Sequence, residues 1–116
     1  MRSAVVMTLL LALAAPCYAE GAKAYRGHLV IAPEVEIFRP CGAKDDLWLD
    51  YDHSARETLA STHRSLVKDA YGESFVVLLG TPGPKLNCGF CEAYKGSFKI
   101  EKVVEHRASS VDDCPK

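Results

Sequence analysis

Only one stretch of this 116-residue chain repeats its apolar residues at helical spacing, and segments of period two flank it on both sides. Ala55, Leu59, Thr62, Leu66, Val67 and Ala70 fall three and four residues apart, which predicts an amphipathic helix over about 55–71. Ser54 followed by Glu57 has the spacing of a capping box at its start. Gly72 is placed to end it in a left-handed conformation. Arg56, Arg64 and Lys68 fall mostly off the apolar stripe. Leu59 and Leu66 lie on it and are both expected in the core.

The flanking segments read as strands. Gly27 to Ala32 is a run of apolar and β-branched residues, and Pro33-Glu34 punctuates it. Val35 to Arg39 alternates apolar with charged residues, and Leu47, Leu49 and Tyr51 alternate with Trp48 and Asp50. After the helix, Ser74 to Gly80 is nearly all apolar, as in a strand covered on both faces. A long loop rich in Pro and Gly spans 81–92. Alternation resumes over Tyr94 to Val104, and a polar, irregular tail follows from Ala108. Three strands, one helix and two strands is the order of the OB-fold. The predicted fold is therefore mainly β: a small five-stranded Greek-key barrel with one α-helix between strands 3 and 4. An open α+β sandwich fits the same composition, but closure into a barrel removes the exposed edges.

The N-terminus adds a compartment. Met1-Arg2, a charge-free apolar run from Ala4 to Ala15, and small residues before a cut after Ala19 form the three-part pattern of a signal peptide over 1–19. The run is too short for a membrane span, which needs roughly 20 apolar residues. A lipoprotein reading through Cys17 ranks second, because Pro16 stands where such sites want a small, flexible residue. Residues 20–116 then form a single exported domain of 97 residues. It holds 13 Lys and Arg against 15 Asp and Glu, which argues against nucleic acid and anionic membrane surfaces as partners.

Four cysteines remain in that domain, and an even count in a small exported chain reads as a disulfide framework with three possible pairings. Cys41–Cys114 with Cys88–Cys91 is preferred. The long bridge would contribute roughly 4 kcal/mol by constraining the unfolded chain, the short one about 2.

Tyr25-Arg26-Gly27-His28-Leu29-Val30, then Val35-Glu36-Ile37-Phe38-Arg39-Pro40-Cys41-Gly42, then Leu47-Trp48-Leu49, carry a family likeness. Together with Tyr94-Lys95-Gly96 and the near-terminal cysteine, they resemble the C-terminal OB-fold domain of the NlpE envelope lipoproteins. The resemblance covers most of residues 24–116 and implies a barrel, an envelope location and a role in envelope biology. NlpE itself also carries an N-terminal barrel domain with its own cysteine pair and a lipidated N-terminus. The stretch before Tyr25 reads instead as a leader, so the surface-sensing and copper-linked roles of NlpE are not carried over.

Cys88-Gly89-Phe90-Cys91 is the one motif with the spacing of redox chemistry. A redox pair needs its first thiol at a helix N-terminus. The chain after Cys91 instead runs toward a strand, and Glu92 would disfavour a thiolate. Two thiols at this spacing are also half of a zinc site or a soft pair for Cu(I). None of His28, His53, His63 or His106 stands at ligand spacing to complete such a site, and each reads as a solvated side chain. Phe38, Trp48 and Tyr51, with Tyr25, form a candidate stacking face of the kind OB-folds use on their second and third strands. Asp45, Asp46, Asp50 and Asp52 read as a solvated acidic loop, and Lys95, Lys99 and Lys102 are interleaved with Glu101 and Glu105.

The sequence thus reads as a non-catalytic, secreted or periplasmic accessory or binding module. It is expected to need no cofactor and to take an envelope protein or a small ligand as partner. The alternative is a small copper- or zinc-handling or thiol-redox protein using Cys88 and Cys91.

Overall fold

The computed structural model describes residues 21–115. The leader expected over 1–19, with Cys17, lies outside the described residues. Five strands form a closed barrel: β1 (Lys23–Ala32), β2 (Val35–Pro40), β3 (Leu47–Asp50), β4 (Ser74–Gly83) and β5 (Ser97–Ala108). Around the barrel the order is β1-β2-β3-β5-β4, with β4 returning to β1. Every neighbouring pair is antiparallel except β3–β5, where Trp48, Leu49 and Asp50 pair in parallel with Ser97, Phe98 and Lys99. The one α-helix among the described residues, α1 (His53–Leu66), comes between β3 and β4. This is the predicted OB-fold-like barrel.

Alternation decides which side chains enter it. Leu29 and Ile31 of β1, Phe38 of β2, Leu49 of β3, Val76 and Leu78 of β4 and Phe98 of β5 fill the interior, and Leu59 of α1 packs against them. Phe98 is the hub, with the Phe38 and Tyr25 rings 4.9 and 5.3 Å away. The β1–β2 hairpin turns on Pro33-Glu34. Pro presets the first position, and Glu34 accepts the left-handed conformation (φ 65°) that the second demands.

Several boundaries differ from the sequence reading, each for a physical reason. The helix starts two residues early because Asp52, not Ser54, caps it, its Oδ1 accepting from the Ala55 N–H at 2.7 Å. It stops at Leu66, where Val67 is extended, and Gly72 belongs to a later turn closed by its N–H donating to the Asp69 carbonyl at 3.0 Å. Leu66 is therefore only half-buried, and the second helical residue sealed in the interior is His63. Strand β4 runs on to Gly83. Pro82 lies beyond the end of pairing with β1 at Gly80 and is registered only against Phe98 of β5. Tyr94-Lys95-Gly96 stays in the loop, and β5 begins at Ser97.

Candidate functional site

The structure disperses the aromatic residues expected to form one stacking face. Phe38 is wholly inside the barrel. Trp48 points outward from β3 but is covered: the loop joining β4 to β5 folds over the outer face of β1, β2 and β3. There Leu86, Cys91 and Tyr94 pack on Val30, Ile37 and Trp48. The Tyr94 and Trp48 rings are 5.5 Å apart, and the Trp48 backbone N–H donates to the Gly96 carbonyl. Tyr51 is half-buried, its hydroxyl donating to Glu36 at 2.6 Å, while Arg56 donates to the same carboxylate oxygen. Burial and that carboxylate push the Tyr51 phenol well up.

The cysteines pair as Cys41–Cys114 and Cys88–Cys91. Cys88 is exposed and Cys91 sealed beneath a short 3₁₀ turn, Phe90–Ala93, a turn the sequence reading did not anticipate. With both sulfurs joined to each other, neither is a thiolate ligand or nucleophile in this state. Among the described residues, no group of three or more His, Cys, Asp and Glu is arranged to hold a metal ion. The acidic loop is also used structurally: Asp46 meets Arg39 at 3.4 Å, Asp45 meets Lys95 at 3.8 Å, and Asp52 caps α1.

Three of the four histidines, read as solvated, are engaged. His28 on β1 reaches Asp113 at 3.1 Å, and Arg107 on β5 reaches the other oxygen of that carboxylate at 2.7 Å. The Ser110 N–H donates to Asp113 at 2.6 Å. Burial works against the Asp113 carboxylate, but Ser110, Arg107 and His28 together hold its pKa below the ordinary carboxylate value. The polar tail is thereby fastened to the barrel wall beside the Cys41–Cys114 bridge, over a sealed Phe75 on which the Arg107 guanidinium lies 4.0 Å from the ring centre.

The other two engaged histidines form a relay. Ser74, sealed at the start of β4, has its Oγ 2.7 Å from His63 Nδ1 and 2.8 Å from His106 Nε2. Nδ1 of His63 is held by Ser74, while its Nε2 is buried without a hydrogen-bond partner among the described residues. The single Ser74 proton serves one ring only, so one imidazole accepts from the hydroxyl while the other donates to its oxygen. Burial lowers both imidazole pKa values, and the neighbouring His63 adds to the effect on His106, which falls to about 4. Both rings are neutral at pH 7.

Beside this relay, a groove of about 290 Å³ opens between α1 and the inner face of β5. Leu59 and Val103 supply apolar walls, Ser54, Thr58 and Thr62 supply hydroxyls, and His106 sits at its edge. A second hollow of about 410 Å³, where α1 meets the β1–β2 hairpin, is rimmed by charges, of which Arg56 is already paired with Glu36 and Glu57. The α1–β5 groove has the ordinary make-up of a ligand site: mostly apolar, with a few fixed polar groups. Sequence reasoning missed it because its residues come from two elements about 40 positions apart in the chain. The only local signal was His63 falling four residues after Leu59, on the apolar face of the predicted helix.

Comparison with known protein families, with curated proteins and with solved structures found no match to this chain. No helix among the described residues is long and apolar enough to cross a membrane.

Proposed function

We propose that this chain is a non-catalytic accessory or binding module of the bacterial cell envelope, exported to the periplasm or beyond. The α1–β5 groove carries the binding half of this reading: an open recess on a rigid barrel, walled by Leu59 and Val103 with Thr58, Thr62 and His106 as its polar groups. Two disulfides using all four cysteines of residues 20–116 support an oxidising compartment, where such bonds persist. The leader pattern over 1–19 and the resemblance to NlpE-like domains point the same way.

Expression of the full chain with a C-terminal tag in a Gram-negative host tests it. Periplasmic release of a species beginning at Glu20, with no free thiol under denaturing conditions, is the expected result. Cross-linking in intact envelopes should then join the protein to a discrete partner or yield a co-purifying small molecule. Retention in the cytoplasm with four titratable thiols would overturn the reading and promote thiol or metal chemistry at Cys88 and Cys91.

A further inference from the structure

We infer that the free edge of β5 pairs, antiparallel, with the same edge of a second copy of this chain, about a two-fold axis beside Val103 and Val104. The inference goes beyond the binding-module reading and does not depend on it. The edge comes first. β4 pairs with β5 from Ser97 to Ala108, whereas on the other side β3 reaches only Ser97, Phe98 and Lys99. From Ile100 to Ala108 the second edge of β5 therefore pairs with no strand among the described residues. Such an edge is a template for another strand. α1 lies against the inner-face residues Val103 and His106, and Lys102, Val104 and Glu105 stay exposed. Val104, 58% exposed, is an apolar side chain in water at the middle of the open stretch.

Charge then selects the occupant. The register of β5 on β4 steps from Glu105–Val77 to Val103–Leu78, so Val104 is the extra residue of a bulge. Lys102 and Glu105 consequently share the outer face, opposite Leu79 and Val77, one on either side of the bulge. An axis through the bulge sets Lys102 against Glu105 of the second copy, and Glu105 against its Lys102, as a two-fold interface requires. Lys102 makes no ion pair among the described residues, and Glu105 meets Arg107 at 3.0 Å through Oε1 alone. Other registers fail: an axis at Lys102 opposes two lysines, and one at Glu105 two glutamates. Bulges and edge charges ordinarily keep strands apart. Here they leave one register open, to a strand with the opposite order of charges, which a reversed copy supplies. Because β3 holds the edge at Ser97–Lys99, pairing is confined to Ile100–His106 of each chain. So short an interface is weak and transient, with a Kd of about 10–100 μM.

Sedimentation velocity of the exported protein from about 1 μM to about 1 mM tests this. Monomer should give way to dimer with that Kd, and the affinity should fall about three-fold or more between about 0.05 M and about 0.5 M salt. Lys102→Glu and Glu105→Lys are both made at exposed positions. Each variant alone opposes like charges at both symmetric places and should associate about ten-fold or more weakly. Mixed, the two variants oppose glutamate to lysine at both places and should form a heterodimer within about three-fold of the wild-type affinity. A photo-cross-linker at Val104, read in intact envelopes, should join two copies.

Wild-type protein that stays monomeric at the highest concentration overturns the proposal. So does a dimer that neither charge reversal weakens, or one that mixing does not restore while both variants keep the wild-type circular dichroism. If a variant loses that signal, the Val104 cross-link in the wild-type background decides. Cross-linking from Val104 to another protein, with no copy-to-copy product, would assign the edge to an extended segment of that protein and overturn the second copy.

Discussion

The Ser74 hydroxyl oxygen, sealed at the start of β4, lies 2.8 Å from His106 Nε2 near the end of β5, where burial favours the neutral imidazole. Protonating that ring would add charge beside His63, whose own pKa burial also lowers.

A dependence of stability on pH follows. His106 has a folded pKa of about 4 against an ordinary 6.5, so between those values the unfolded chain binds a proton that the folded chain does not. Stability from this group is complete above pH 6.5, falls as pH drops from 6.5 to about 4, and levels off below. His63 acts in the same direction. Asp113, whose pKa is lowered, adds a later loss below its ordinary 3.8, as pH falls through the folded value. Denaturant unfolding at pH 7 and pH 4 should differ by about 2 kcal/mol, allowing for the partial exposure of His106. His106→Gln, which can hydrogen-bond Ser74 but does not titrate, should flatten much of that slope. Greater stability at pH 4 would contradict the assignment.

Removing the middle of the relay gives a second expectation. Ser74→Ala leaves both His63 Nδ1 and His106 Nε2 without their partner in a sealed site. The cost should be about 1–3 kcal/mol, and the His106 pKa measured by NMR should move. An unchanged midpoint together with an unchanged His106 titration would show that the hydroxyl is idle.

The architecture was legible because each strand carries its own alternation and α1 alone carries the helical period. Leu29, Phe38, Leu49 and Phe98 enter the barrel as period two requires. The functional surface was not legible to the same degree. Trp48 looks like a stacking residue in sequence, and only the path of the β4–β5 loop, which lays Tyr94 and Cys91 over it, makes it a packing residue. His63 looks like a solvated residue until the helix is oriented by Leu59. Asp113 sits in a tail without periodicity, and its partners His28 and Arg107 come from opposite ends of the chain.

The two disulfides should differ in their effects. Cys41 and Cys114 are 73 positions apart, whereas Cys88 and Cys91 are three apart. In the chain-entropy account the first contributes about 4 kcal/mol and the second about 2. A change of 1 kcal/mol moves the midpoint of a domain this size by about 4–8 °C. Changing Cys41 and Cys114 together to Ser should therefore lower Tm by about 15 °C or more, and release the tail at Asp113. Changing Cys88 and Cys91 should cost about half as much and raise the solvent exposure of Trp48, read by its fluorescence. Equal losses would contradict the loop-length argument.

On the helix, Leu59 and Leu66 should separate. Leu59 is sealed against Leu29, Leu49 and Phe98, so Leu59→Ala should cost about 2–5 kcal/mol. Leu66 is half-buried at the last helical turn, and Leu66→Ala should cost about 1 kcal/mol or less. Equal effects at the two positions, measured by chemical denaturation, would mean that α1 seats differently on the barrel.

Closure of the barrel rests on close approaches that the sequence does not advertise, one of them at Gly80. Gly80 of β4 pairs with Ile100 of β5, at the second of two register shifts between these strands. A β-carbon at Gly80 would collide with the Lys99 carbonyl and come within 2.6 Å of the Phe98 ring. Neither obstacle can yield cheaply: the carbonyl is backbone, and Phe98 is the packed centre of the core. Gly80→Ala should therefore force β4 and β5 apart where β3 joins β5, with a loss of about 3 kcal/mol or more. Gly42→Ala supplies the contrast. Nothing lies within 4 Å of a β-carbon there, and its only penalty is the positive φ of 82°, about 1 kcal/mol. Hydrogen exchange should show the Gly80 variant losing protection along β5 first. Wild-type protection in that strand would mean that the barrel closes without this contact.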